Sequence, residues 1–283
     1  MELLKDFRTW RFFRHLLTHS FVCFGVLSTI LQTISLIDST VVFFHGWAFL
    51  IKILGISLVW GIFKSWPRPL MQEYSAPKTK ISIVKGNILD DKNHLVIGIN
   101  DTFDTETPNI ISLTSLQGQA LNVLFGGDLK DLDDHLDKAL ANKTAIGEII
   151  KVGKQKKFGV GAIGTIKQNA RLIFFLAYSE MDANNNAHTT PDKIWKSLLA
   201  LWEEVAQKGN GGVLSMPVIG GGQARLSSIL PAQDAIRFTI LSFMLASRKI
   251  KVCDELRIVV TPQDFKKLDR LELQSFLKSM CPS

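Results

Sequence analysis

Two kinds of hydrophobic pattern divide the chain. From Phe21 to Ile37 and again from Val41 to Phe63 the residues are apolar almost without a break. Beyond Lys80, short apolar runs alternate with stretches of helical period. A helix needs about 20 apolar residues to cross the hydrocarbon core of a bilayer, and roughly 17 is the lower limit. The second run passes that test easily, and the first passes once Leu16 and Leu17 extend it backward. Only Asp38-Ser39-Thr40 lies between them, room for a tight turn, so the pair is predicted to form an antiparallel hairpin crossing the membrane twice. A cleaved signal peptide is the competing reading of the first run; the second span that follows at once and the lack of a small-residue cleavage site argue against it.

The second pattern predicts an α/β domain. Ile81–Val84 and Leu95–Ile99 are short β-branched runs bounded by turn residues. Leu113–Leu124 and Leu129–Leu140 have helical periodicity, and Arg171–Tyr178 is a continuous apolar run of the kind a doubly covered strand requires. Thr190-Pro191-Asp192 opens a helix whose Ile194, Leu198, Leu201 and Val205 share one face. Gly212–Ile219 reads as a strand, Pro231–Ser247 as a helix and Leu256–Val260 as a strand. Thr261-Pro262-Gln263-Asp264 begins a last helix with a capping-box pattern. Strands separated by helices predict three layers with a mixed sheet. The expected organisation is a hairpin over residues 1–64, a Pro-rich linker over 65–79 and an α/β domain over 80–283.

Charge sharpens the membrane reading. The net charge is +7, yet residues 1–80 hold nine Lys/Arg against four acids, while the rest holds 24 against 22. The high pI therefore belongs to the membrane flanks and does not mark a nucleic-acid surface. Arg8, Arg11 and Arg14 precede the first span and Lys64 and Arg68 follow the second, so the positive-inside rule places both termini in the cytoplasm, here beneath a cell inner membrane. Lys52 sits in the middle of the second span, where an ammonium costs on the order of 3 kcal/mol unless it faces protein or water. Snorkelling with local thinning is the bland account; a homo-oligomer with Lys52 turned inward is the sharper one, and Gly46, Gly55 and Gly61 permit close helix approach. His15 and His19 are spaced i, i+4, but the Glu of a metal-binding helix motif is missing, and no metal or cofactor is expected. Cys23, Cys253 and Cys281 are too scattered for a disulfide framework.

Two glycine-rich segments invite a ligand. Gly159-Val160-Gly161-Ala162-Ile163-Gly164 has dinucleotide spacing, but a Lys-rich stretch precedes it and strand-like residues follow, so the context that spacing requires is missing. Val218-Ile219-Gly220-Gly221-Gly222-Gln223-Ala224-Arg225 instead leaves an apolar strand and leads to a helix, where backbone amides can approach an anion. The Lys-Ser/Thr pair of a nucleotide-hydrolysing loop is absent.

From Ile81 onward these residues resemble a macro domain, the ADP-ribose-binding α/β module. Lys85-Gly86-Asn87-Ile88-Leu89-Asp90 resembles the family's Gly-Asp-Ile turn, with Asn87 where an acid normally accepts the adenine amino group. Val96-Ile97-Gly98-Ile99-Asn100-Asp101 resembles the strand entering the first ribose and phosphate loop, and Gly220–Gly222 resembles the diphosphate loop. Thr102-Phe103-Asp104-Thr105 and Ser115-Leu116-Gln117-Gly118 are similar to a less common branch. The resemblance implies that Gly86, Asn87, Ile88, Asn100, Asp101, Phe103, Asp104 and residues 218–225 contact an ADP-ribose derivative.

A double-spanning helix pair before a macro domain is similar to the transmembrane–macro effectors of Thoeris antiphage defence. That resemblance implies a TIR-domain protein that makes the nucleotide signal, a histidine conjugate of ADP-ribose among the candidates. It further implies a sensor that is not an enzyme, and a membrane part that disrupts the bilayer. The alternative is a tethered ADP-ribosyl hydrolase, with Asp101 or Asp104 as base.

Overall fold

The computed structural model describes residues 10–37, 46–66, 69–220 and 229–281. It forms two units, one of residues 1–69 with 269–271 and one of residues 70–268 with 272–283.

The first unit is built on α1 (Trp10–Ile37) and α2 (Trp47–Ser65). Both are long and apolar enough to cross a membrane. Helix α1 starts well before the apolar run, because Arg11, Arg14, His15 and His19 continue the same helix without a breaker. The two helices pack antiparallel. A side chain on Gly61 of α2 would land on Ser20 Oγ and within 2.9 Å of the Leu16 carbonyl oxygen of α1. Glycine is what allows that approach. Ile53, Ser57, Gly61 and Ser65 form the buried stripe of α2, and Lys52 lies off it, exposed on the outer surface of the helix. The predicted turn at Asp38–Thr40 lies outside the described residues.

The second unit runs β1 (Met71–Ser75), β2 (Lys78–Lys85), β3 (His94–Asn100), α3 (Leu116–Leu124), α4 (Leu129–Leu140), the two-residue strands β4 (Gly147–Glu148) and β5 (Lys156–Lys157), β6 (Ile163–Gln168), β7 (Arg171–Met181), β8 (Ala187–His188), α5 (Pro191–Lys208), β9 (Val213–Pro217), α6 (Ala232–Ser247), β10 (Glu255–Val260), α7 (Pro262–Phe265) and α8 (Arg270–Ser279). The main sheet has the order β1-β2-β10-β9-β3-β7-β6, with β8 added to β7. Strands β2, β10, β9, β3 and β7 are parallel, and β1 and β6 join antiparallel at the two edges. This is the mixed three-layer sheet the sequence predicts.

Alternation along the central strands assigns each residue to a layer. Leu95, Ile97 and Ile99 of β3 and Ile173, Phe175 and Ala177 of β7 pack with Leu121 of α3 and Leu132 and Leu136 of α4. Val96, Phe174 and Leu176 point the other way, toward Leu198, Leu201 and Trp202 of α5 and Ile240 and Phe243 of α6. Trp202 is fully enclosed, and its indole N–H donates to Ser242 Oγ at 3.0 Å, so the polar atom of a core tryptophan is satisfied.

Several elements depart from the sequence pattern. Strand β1 falls inside the predicted linker, and the compact unit begins at Leu70 rather than Lys80. Only Tyr74 of β1 is buried, so the strand carries no alternation to detect; its hydroxyl donates to the Leu277 carbonyl at 2.7 Å and ties the edge to α8. The last helix is two pieces. Thr261 Oγ1 does cap Asp264 N at 3.2 Å, but α7 ends after one turn, and α8 follows. The Gly159–Gly164 segment leads into strand β6 and not a helix, which removes it from dinucleotide binding.

Candidate functional site

Because the five parallel strands share a direction, their carboxyl ends meet at one edge, the place where open α/β sheets bind ligands. A cleft of about 660 Å³ opens there, outside the ends of β3, β7 and β9. Its floor includes Gly98, Ile99 and Asn100 of β3 and Tyr178 and Ser179 of β7. One wall is residues 110–117, leading into α3; another is the turn between β7 and β8; a third is Pro217–Gly220, leaving β9.

Each wall brings its own chemistry. At the start of α3, Ser115 Oγ accepts from Gly118 N at 3.1 Å, and Ser115, Leu116 and Gln117 line the cleft. The first turn of a helix carries partial positive charge from its unpaired amides, which suits an anionic ligand group. Gly220 has φ of 94°, a backbone conformation that side-chain-bearing residues rarely adopt. Gly98 lies so close to the Tyr178 ring that any side chain would displace the ring. Burial raises the pKa of the Tyr178 phenol, so it stays a neutral donor and acceptor.

Asp182 brings the negative charge. Its Oδ1 accepts from the N–H groups of Asn184 and Asn186, each at 2.8 Å, and Oδ2 lies 3.0 Å from His188 Nε2. These hydrogen bonds, the one from Asn186 foremost, lower its pKa to about 2. A depressed carboxylate contributes its turn contacts above the ordinary Asp range near 3.8 and loses them as pH falls through the folded value. The amide proton signals of Asn184 and Asn186 should therefore show no carboxylate transition near pH 4 and show it only as pH approaches about 2. Movement centred near pH 4 would mean that Asp182 does not hold the turn.

The structure distributes the sequence-predicted residues unevenly. Asn100, Val218, Ile219 and Gly220 line the cleft. Asp101, Phe103 and Asp104 do not; all three are fully enclosed. Asp101 Oδ1 accepts from Met181 N at 2.8 Å, and its Oδ2 lies 3.2 Å from Lys157 Nζ. Phe103 packs edge-on against Phe158 at 5.6 Å between centroids, with φ of 54°. Asp104 is paired to Lys151 Nζ at 2.5 Å. Asp104 is spent on the protein itself, while Asp101 keeps Oδ2 without a hydrogen bond beside the Lys157 ammonium; neither side chain lines the cleft. Gly86, Asn87 and Ile88 stand at the end of β2, two strands from β9, and are not in the cleft wall. Asn87 Oδ1 caps the following 3₁₀ turn through Leu89 N at 3.2 Å, and Ile88 is core. Gly221, Gly222, Gln223, Ala224 and Arg225 lie outside the described residues.

Sequence reasoning passed over Tyr178 and the β7–β8 turn. The run Asp182-Ala183-Asn184-Asn185-Asn186 was a usable signal, since Asp and Asn cluster where side chains hydrogen-bond their own backbone.

Comparison with known proteins points to the α/β unit. Residues 81–261 match the family described as Thoeris protein ThsA, macro domain. Among solved structures, a macrodomain of Oceanobacillus iheyensis aligns in three variant forms. The first is 15% identical, covers 74% of this chain and 97% of its own, and has a TM-score of 0.47. The second is 14% identical, covers 76% and 95%, and has a TM-score of 0.48. The third, solved with ADPR, is 13% identical, covers 74% and 98%, and has a TM-score of 0.45. No curated protein matches the chain.

Proposed function

The chain belongs to the family of the macro domain of the Thoeris protein ThsA, and we propose that its α/β unit is the receptor for an ADP-ribose-derived nucleotide whose binding drives the apolar helices to disrupt the membrane. The observation that carries the reading is the cleft at the carboxyl ends of β3, β7 and β9. It joins a helix start and the Gly220 backbone, both suited to phosphate, with Asn100, Ser179 and Tyr178, suited to ribose and base. The signal is then a soluble nucleotide made by a TIR-domain protein, a histidine conjugate of ADP-ribose among the candidates. The two proteins communicate through that nucleotide alone.

The hydrolase alternative needs a base in contact with a water at the distal ribose. Asp101 and Asp104, its two candidates, are both enclosed and engaged, which favours binding over turnover. Asp182 does line the cleft, but its depressed pKa makes it a poor base.

The membrane step is assigned to a homo-oligomer of helix pairs with Lys52 at the new interface. Its exposure on α2, away from the stripe that α1 covers, supports this, because a mid-span cation demands a protein or water environment. In vesicles holding the full chain, ADP-ribose derivatives should dissipate a membrane potential, and Lys52→Leu should abolish the effect while leaving nucleotide affinity unchanged. Undiminished depolarisation in that variant removes Lys52 from the mechanism.

A further inference from the structure

Asn100 is held in one orientation from behind. Its Oδ1 accepts from Thr102 N at 3.0 Å, Asp104 N at 3.2 Å and Thr102 Oγ1 at 2.8 Å. Two of these donors are backbone N–H groups, which cannot turn away. A flipped carboxamide would set its NH₂ against both of them, so the assignment of oxygen and nitrogen is fixed by the network. The NH₂ has no hydrogen bond among the described residues, and Asn100 lines the cleft. It remains as a donor for a ligand.

The third donor has a choice of acceptors, and a remote residue sets the balance. The Thr102 hydroxyl has one proton and two acceptors in range, Asn100 Oδ1 and, at 2.6 Å, Asp104 Oδ2. An Asp104 carboxylate with free lone pairs would take that proton outright. Lys151 Nζ, however, donates to the same Oδ2 at 2.5 Å, and the backbone N–H of Lys154 donates to Oδ1 at 2.8 Å. Both side chains of the pair are out of water, at 0% and 1% exposure, so the ammonium charge acts on Oδ2 with little screening. Lys151 thereby weakens the pull of Asp104 on the Thr102 proton and leaves it shared with Asn100.

We propose that Lys151 is a positioning residue for the nucleotide site. Through Asp104 it keeps the Thr102 hydroxyl donating to Asn100 Oδ1, the third donor beside the two backbone N–H groups that turn the NH₂ of Asn100 toward the cleft, where that group donates to an acceptor oxygen of the ligand. The inference rests on the nucleotide reading above. A merely structural ion pair would fasten the segment around β4 and β5 and leave Asn100 indifferent to Lys151.

The test is a double-mutant cycle on the full chain in detergent, read by calorimetric titration with ADP-ribose. Thr102→Val keeps the shape and the ion pair but removes the shared proton. It should weaken binding about fivefold, the loss of one neutral hydrogen bond. In an Asn100→Ala background the same change should cost nothing further, because its effect passes through Asn100. Lys151→Met should behave alike if it folds; otherwise Thr102→Val carries the cycle. Additive losses overturn the proposal. A second arm needs no ligand. In ¹⁵N spectra of the free protein, the NH₂ signals of Asn100, identified by their loss in Asn100→Ala, should shift in Thr102→Val and Lys151→Met. Unmoved signals overturn the proposal whether or not ADP-ribose binds. Shifted signals with no binding by the parent would uphold the positioning and sink the nucleotide reading instead.

Discussion

Lys151→Met is expected to lower the unfolding free energy of the α/β unit by about 3–5 kcal/mol, the usual cost of leaving one member of a buried ion pair unpartnered. Lys151 and Asp104 are both shut off from solvent, and the Asp104 carboxylate also accepts from Thr102 Oγ1 and Lys154 N. Removing the ammonium leaves a charge that these two donors satisfy only in part. Much of the penalty comes from that stranded charge, so removing it as well should restore stability. The double variant Lys151→Met, Asp104→Asn should be more stable than the sum of the two single losses by 1 kcal/mol or more, on the order of the couplings seen between contacting residues. Denaturant unfolding monitored by tryptophan fluorescence reads this, since Trp202 lies in the core of the same unit. Strict additivity would mean the pair is not coupled as the geometry requires.

The second large effect concerns the cleft. Gly220→Val should weaken nucleotide binding by at least tenfold, about 1.4 kcal/mol. Two causes act together. Gly220 has φ of 94°, and a β-branched residue held there carries strain of about 1–3 kcal/mol that relaxes only by moving the loop. The change also falls in the cleft wall, where a phosphate would approach the backbone. The far-UV circular dichroism of the variant should stay that of the parent, because Gly220 lies beyond the end of β9 and carries no sheet hydrogen bond. Unchanged affinity would detach the glycine loop from the ligand.

How far the fold is legible in the sequence depends on where each element sits. Central β7 announces itself, because a strand covered on both faces must be apolar at every position. Helix α5 does so through Ile194, Leu198, Leu201 and Val205 on one face. Edge strand β1 does not, since one buried residue in five leaves no period to read. The site divides along a similar line. Asn100 and the Val218–Gly220 segment can be placed from their position after apolar strands, because the carboxyl ends of parallel strands converge. The enclosure of Asp101 and Asp104 cannot. Their cationic partners, Lys157 and Lys151, come from a polar stretch some fifty residues on that reads as surface, and local pattern says nothing about so distant a pairing. Asn87 shows a different limit. A capping side chain and a ligand-binding side chain call for the same residue type, and here Asn87 caps its own turn.

The claim that joins these observations is that the cleft at the ends of β3, β7 and β9 receives an ADP-ribose derivative. Calorimetric titration of ADP-ribose into the full chain in detergent, beside the Gly220→Val variant, tests it most directly. The account predicts saturable binding to one site per chain, lost or weakened at least about tenfold in the variant. Absence of binding by the parent at millimolar nucleotide, or equal binding by both proteins, would contradict it.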